Sequence, residues 1–158
     1  MTKKLLLTLS SVIAAVLFWY YFGAVSILKD DSSSFSKLQC VSYAPFAKDE
    51  SPFLFDNGLV ISSNRVREDL KLLSKYTDCI RTYSTVGLEM IPAIARENNL
   101  KMLMGAWVSK DKVQTKQELD TLIKLASENQ DIVRAVIVGN EVLLRGDTSD
   151  VQLLEYLK

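Results

Sequence analysis

Four apolar runs organise the chain from residue 38 onward, and each is followed by a segment with apolar residues at helical spacing. The runs predict strands, since apolar residues follow one another there with few interruptions. They lie at 38–45, 78–84, 101–109 and 134–141. In the first of the intervening segments, Val66, Leu70 and Leu73 recur three or four positions apart, which is typical of a helix. The pattern therefore predicts consecutive strand–helix units, an α/β fold with a parallel sheet.

Local signals predict where several of these helices begin. Thr115 with Glu118 has the spacing of a capping box and predicts the start of the third helix, and Ser149 with Gln152 predicts the start of the last. Pro92 is expected in the first turn of the second helix, where a missing N–H costs little.

The last apolar run ends abruptly in a glycine, an amide and a carboxylate. Residues 136–138 are apolar in succession, which predicts a strand covered on both faces. Gly139 allows a sharp turn, and Asn140 and Glu141 then lie at the carboxyl end of the strand, where functional groups gather in parallel α/β folds. From spacing alone, Glu141 is either a catalytic acid or a solvated loop carboxylate.

The N-terminal part has a different pattern. After Lys3 and Lys4 the chain is uncharged from Leu5 to Leu28, long enough as a helix to cross a hydrocarbon core of roughly 30 Å. We therefore expect a membrane anchor at 1–28, a serine-rich polar linker at 29–37 and a folded part at 38–158. A cleaved signal peptide, with small residues at 24–26, is the alternative. Either interpretation places the folded part outside the cytoplasm.

Composition narrows the chemistry. The chain has no histidine and two cysteines, which excludes a Ser-His-Asp triad and the common zinc and iron–sulfur sites. Acidic and basic residues are equal in number, so no nucleic-acid partner is indicated, and we expect no metal or cofactor. Carboxylates and aromatic rings remain for catalysis and binding. An oxidising compartment would permit a bridge between Cys40 and Cys79, but we expect two buried thiols, because neighbouring parallel strands seldom offer disulfide geometry.

The number of units bears on the extent of the fold. A closed (β/α)8 barrel needs at least about 200 residues, so four units are half of one and would leave two sheet edges uncovered. We expect the front half of a longer barrel protein or the product of a truncated gene. The alternative is a complete, open four-stranded α/β domain.

Four strings at the predicted strands, taken in order, resemble bacterial members of glycoside hydrolase family 17, which contains β-1,3-glucanases and related glucan transglycosylases. They are Cys-Val-Ser-Tyr-Ala-Pro-Phe at 40–46, Cys-Ile-Arg-Thr-Tyr-Ser at 79–84, Gly-Ala-Trp at 105–107 and Val-Gly-Asn-Glu-Val-Leu-Leu-Arg-Gly-Asp at 138–147. The resemblance covers 38–158 and implies the first four units of a (β/α)8 TIM barrel.

The resemblance also implies a retaining mechanism on β-1,3-glucan, which uses two carboxyl groups about 5 to 5.5 Å apart. Glu141 would be the acid/base, and Arg81 would hold the nucleophile ionised. The nucleophile would follow the seventh strand and is absent from this chain, so we expect the chain alone to be inactive. A non-catalytic fragment that at most binds glucan is the alternative.

The remaining implied roles concern the sugar. Asn140 would bond its 2-hydroxyl, and Tyr43, Tyr83 and Trp107 would contact its faces and hydroxyls. Without the resemblance, Arg81 is a strand cap and the aromatic residues are core packing.

Overall fold

The computed structural model describes residues 2–23 and 36–158, in two compact units, 1–36 and 37–158. The first unit contributes one helix, α1 (Thr2–Phe22), after which Gly23 N–H bonds the Trp19 carbonyl at 2.8 Å. A search of the described residues found no helix with the length and hydropathy needed to cross a membrane. The predicted transmembrane helix at 1–28 is thus not supported; its apolar run continues past Phe22 into residues outside the described part, where most of the predicted linker at 29–37 also falls.

The second unit is a parallel sheet with helices between its strands. The chain passes through β1 (Val41–Ser42), a 3₁₀ helix (Pro52–Asn57), α2 (Ser63–Leu73), β2 (Cys79–Arg81), α3 (Ile91–Glu97), β3 (Lys101–Ala106), α4 (Lys112–Glu128), β4 (Val133–Val138) and α5 (Asp150–Tyr156). The strand order is β1-β2-β3-β4, and all three pairings are parallel. The predicted succession of strand–helix units is therefore confirmed, although β1 and β2 are shorter than expected.

The core lies where the helices cover the inner strands. Val66 and Leu70 of α2, Ile94 of α3 and Met102 and Met104 of β3 are all almost fully buried. Gly105 of β3 admits the neighbouring strand, because a Cβ there would lie 2.4 Å from the Thr82 carbonyl oxygen.

The last strand, β4, is not covered on both faces as predicted. Arg134, Ala135 and Val136 are exposed, with Val136 at 49 %. Consecutive apolar residues predicted cover on both faces, but among the described residues β4 pairs only with β3 and forms one edge of the sheet, where its residues are less enclosed. The other edge is β1, so the described strands form an open sheet with two edges, as expected of four barrel units.

The capping box predicted at Thr115 and Glu118 is wrong. Helix α4 begins at Lys112, where Asp111 Oδ1 accepts the N–H groups of Val113 at 2.8 Å and Gln114 at 3.1 Å. Thr115 and Glu118 are instead buried within the helix. The other two helix-start predictions are confirmed: Ser149 Oγ caps α5 through the Gln152 N–H, and Pro92 lies in the first turn of α3.

The two cysteines form a disulfide, so the prediction of free thiols is also wrong. Cys40 and Cys79 have their Cα atoms 4.3 Å apart. In the register that pairs Val41 with Ile80, Cys40 faces Cys79 directly. Cys40 precedes β1 and follows a bend at Gln39, so regular strand geometry does not hold it away from its partner.

Candidate functional site

The Glu141 turn (residues 139–147) follows β4 and has an unusual backbone. Gly139, Glu141 and Gly146 all have positive φ, at 76°, 55° and 64°. A Cβ on Gly139 would lie 2.6 Å from Val142 Cγ1, so glycine is required there for space as well as for conformation. Glu141 is a non-glycine residue in the left-handed region, a strained conformation that persists only where its surroundings fix it. The strained residue is therefore Glu141, which the sequence predicted to be a functional position.

Hydrogen bonds within the turn close it on itself. The N–H groups of Arg145 and Asp147 donate to the carbonyls of Glu141 and Val142, each at 2.9 Å. The Glu141 side chain is exposed, and no hydrogen bond or ion pair to its carboxylate is found among the described residues. The turn thus presents a carboxyl group that no described residue engages at this edge of the sheet.

Arg81 and Asn140, expected to serve one site, are in direct contact. Arg81 Nη2 donates to Asn140 Oδ1 at 2.7 Å. A guanidinium can only donate, so this contact fixes the orientation of the amide. None of the described residues accepts a hydrogen bond from Asn140 Nδ2, so this amide nitrogen can donate to a substrate hydroxyl.

Arg81 also lies over the Tyr83 ring, with Cζ 4.6 Å from its centroid, and Tyr83 Oη donates to Ser42 Oγ at 2.9 Å. These contacts join the carboxyl ends of β1, β2 and β4. Arg81 does not cap a strand end by bonding carbonyls; its Nε is buried and has no partner among the described residues. A donor therefore remains for a further acceptor.

Arg145 is a functional candidate that the sequence analysis missed. One of its terminal nitrogens, Nη1, donates to the Asn140 carbonyl, the other donates to the Val108 carbonyl at 3.3 Å, and Nε donates to Asp147 at 2.7 Å. Its Cζ lies 4.4 Å from the centroid of the Trp107 ring. Asn140 is thus held by two arginines, through its side chain by Arg81 and through its backbone by Arg145.

Trp107 and Tyr43 have environments that differ from the simple expectation of open sugar platforms. The Trp107 ring is covered by Arg145 and meets the edge of Phe53 at 6.2 Å. Tyr43 is buried, and its hydroxyl donates to Asp69 of α2 at 2.9 Å. Burial, together with Asp69, raises the pKa of the Tyr43 phenol well above its ordinary value. Packing explains Tyr43 without a ligand, and its sugar contact stays a prediction.

A cavity of about 270 Å³ opens beside these aromatic rings. Tyr43, Tyr83 and Trp107 line it together, whereas Asn140 and Glu141 do not. The remaining lining residues are mostly apolar and come from the β1–α2 and β2–α3 loops and from α4: Ala44, Phe46, Pro52, Phe53, Phe55, Ser84, Val86, Leu88, Gln114, Gln117 and Glu118.

Glu118 is a second carboxylate at this edge, and its environment is the opposite of that of Glu141. It is only 4 % exposed. Its oxygens accept the N–H groups of Thr85 at 2.9 Å and of Val86 and Trp107 at 3.3 Å, and the hydroxyls of Ser84 and Thr85 also donate to it. A polar residue four positions before the buried Leu122, on the apolar stripe of α4, was the sequence signal that could have revealed it.

Comparison with known proteins identifies the family. The model of the BtgE/BtgC glycoside hydrolase domain matches residues 40–158. The chain belongs to this family. The family resemblance inferred from the four strings is thereby confirmed, and Asn140 and Glu141 lie within the matched residues.

Two curated relatives are similar over part of their length. The Aspergillus flavus protein named "Probable beta-glucosidase btgE" is 36 % identical over 110 residues, which are 68 % of this chain and 18 % of that protein. The Schizosaccharomyces pombe glucan 1,3-beta-glucosidase is 33 % identical over 84 residues, covering 50 % of this chain and 26 % of that protein. The chain thus spans only a minor part of these glycosidases.

Solved structures support the fold. Those of Rhizomucor miehei β-1,3-glucanosyltransferase, a glycoside hydrolase family 17 protein, match with a TM-score of 0.61 at 22 % identity. One is an active-site mutant in complex with laminaritriose, and the match covers 77 % of this chain and 43 % of that one. The four strand–helix units therefore have the fold of part of a family 17 enzyme.

Proposed function

We propose that this chain carries the acid/base half of a retaining glycosidase that acts on β-1,3-glucan by hydrolysis or by transfer to another sugar. Glu141 donates a proton to the leaving glycosidic oxygen while a second carboxylate attacks the anomeric carbon. Glu141 then takes a proton from the water or sugar hydroxyl that displaces this carboxylate. The exposed Glu141 carboxyl, held in a strained turn beside Asn140, is the observation that carries the proposal.

Arg81 and Asn140 have complementary parts in this mechanism. The Asn140 Nδ2 hydrogens, left free because Arg81 bonds Oδ1, donate to the sugar 2-hydroxyl. The unpartnered Arg81 Nε is a donor for the attacking carboxylate, and a charge-assisted bond there would keep that group ionised. The observed Arg81–Asn140 bond and the unpartnered Arg81 Nε support a sugar site at the carboxyl end of β4.

Three further carboxylates of the described residues are already engaged by protein donors. Asp147 already pairs with Arg145, and Asp111 caps α4. Glu118 is saturated with protein donors. This observation favours the second candidate function for the chain by itself, a glucan-binding unit without turnover.

The disulfide supports an oxidising compartment as the location of this activity. Disulfides form and persist in oxidising environments and are rare in the cytosol. Since Cys40 is joined to Cys79, we place the glycosidase outside the cytoplasm.

The test measures binding and turnover together. Laminaritriose is titrated into the chain by calorimetry, and laminari-oligosaccharides are assayed for hydrolysis and transfer products. Glu141→Gln is compared with Glu128→Gln, which changes an exposed glutamate at the end of α4. We expect saturable binding without turnover by the chain alone. Where the attacking carboxylate is supplied by a longer protein, Glu141→Gln should lower turnover by about 10² to 10⁴-fold.

Two results would contradict these expectations. Failure of laminaritriose to bind would refute the glucan substrate. Turnover by the chain alone that Glu141→Gln abolishes and Glu128→Gln retains would show that a second carboxylate is present in this chain after all.

A further inference from the structure

The Glu141 turn needs an external support, because its own sequence does not favour its conformation. A left-handed residue with a side chain costs roughly 1–2 kcal/mol, and Glu141 has φ 55°. The hydrogen bonds within the turn involve the carbonyls of Glu141, Val142 and Leu143, but none of them holds the Asn140 peptide. The group that does so is the guanidinium of Arg145.

Arg145 joins this peptide to the rest of the sheet. It donates to Asn140 in the turn and to the Val108 carbonyl, two residues beyond β3. The Asp147 carboxylate takes the third donor at 2.7 Å, and both side chains of that pair are largely buried, with 28 % and 17 % exposed. Ion pairs shielded in this way are screened less by salt than surface pairs.

Trp107 completes the support. Its ring lies against the guanidinium, and its backbone N–H donates to the carboxylate of the buried Glu118 at 3.3 Å. The planar fork of arginine matches this set of contacts, since it bonds two carbonyls and a carboxylate in one plane while its face stacks on the ring. A lysine offers no planar face and no fork.

We propose that Arg145 is the positioning residue of the Glu141 turn. Its guanidinium stacks on the Trp107 ring and fixes the Asn140 peptide. It thereby orients the Asn140 amide and the Glu141 carboxyl toward the bound sugar. The orientation of these groups toward a sugar rests on the proposed function. The fixing of the turn does not depend on it.

The test compares three variants of the full chain. Arg145→Met keeps the length of the side chain and removes every donor, and Arg145→Lys keeps the charge without the fork. Arg67→Met is the matched control, because Arg67 bonds Glu97 on the exposed surface of the α2–α3 pair. Circular dichroism and thermal melting establish that each variant is folded.

Two readouts follow the turn and the sugar separately. Hydrogen exchange of the amides of Arg145, Gly146 and Asp147 reports whether the turn is closed. The NMR signal of the Asn140 side-chain amide reports whether laminaritriose contacts this amide in the correct orientation. The signal is assigned by its loss in Asn140→Asp. A residue with a merely structural role elsewhere in the fold would leave the second readout unchanged.

We expect Arg145→Met to lower the hydrogen-exchange protection of the three amides by about tenfold or more, because the turn opens more often. It should also abolish the response of the Asn140 signal to laminaritriose, because binding needs the amide in a fixed orientation. Arg145→Lys should restore part of both readouts, and Arg67→Met should behave as the wild type.

The outcomes separate the two proposals. Unchanged protection in Arg145→Met would overturn the positioning role, as would an equal loss of protection across β2 and β3, which signals general destabilisation. If laminaritriose binds neither wild type nor variant, the proposed function fails, and the exchange result still decides whether Arg145 fixes the turn.

Discussion

Glu118 and Glu141 are two glutamates at the same edge of the sheet with opposite environments. Glu118 is buried and accepts hydrogen bonds from three backbone N–H groups and two hydroxyls. Glu141 is exposed, and its carboxylate has no donor among the described residues. The protein uses one carboxylate to join its loops and leaves the other free.

This difference separates a carboxylate that serves the fold from one that the described residues leave unpaired. A carboxylate whose lone pairs all accept protein donors cannot bond another partner without breaking that network. A carboxyl at the end of a strained turn has no such network to lose. Burial and saturation with donors, rather than the presence of a carboxylate near the cavity, therefore distinguish the two glutamates.

The largest expected effect on stability belongs to Glu118. Glu118→Ala leaves the N–H groups of Thr85 and Trp107 buried without an acceptor, which should lower the free energy of unfolding by about 3 kcal/mol or more. Urea unfolding measures this change. Glu128→Ala, on the exposed end of the same helix, is the control and should stay within about 0.5 kcal/mol of wild type. A small loss in Glu118→Ala would break the comparison, since it would mean that the network is not needed.

What the sequence could predict follows from how local each signal is. The strand–helix alternation and the placing of Arg81 and Asn140 at strand ends came from short patterns, and the contact between these two residues agrees with them. Glu118 was misassigned because its spacing from Thr115 satisfies a local rule, whereas its true partners at 84–86 are more than 30 positions away. No local pattern reports such a contact.

The other errors have the same origin. The disulfide depends on the register between β1 and β2, and the exposure of β4 depends on which strands lie beside it. Arg145 was overlooked because its role comes from three acceptors and a ring that the fold brings together. Apolar periodicity specifies the elements, but these features depend on contacts between elements.

A smaller effect, of opposite sign, is expected at Glu141. Glycine tolerates φ 55° without the steric cost that a side chain adds, so Glu141→Gly should raise the free energy of unfolding by about 1 kcal/mol. Urea unfolding again provides the measurement, and Leu143→Gly in the same turn, where φ is not positive, should be destabilising. A higher free energy of unfolding in Glu141→Gly, together with a lower one in Glu118→Ala, would strengthen the contrast between the two glutamates. A loss at Glu141 would mean that its side chain stabilises the turn.

The smallest effect tests whether exposure alone leaves a carboxylate free. Asp131 is exposed like Glu141, but the hydrogen bond from Arg96, at 2.7 Å, lowers the pKa of its carboxyl from 3.8 to about 2. A carboxyl whose pKa is lower in the folded state stabilises the protein above the unfolded value, and this contribution is lost as pH falls from about 4 to about 2. Arg96→Met should therefore flatten the decline of unfolding free energy in that window, measured by urea unfolding at successive pH values. Lys110→Met, which removes an exposed cation that bonds no described carboxylate, should retain the wild-type decline. If Arg96→Met shows the wild-type decline as well, the ion pair with Arg96 does not lower the pKa of Asp131. Asp131 would then resemble Glu141, an exposed carboxylate without an effective partner.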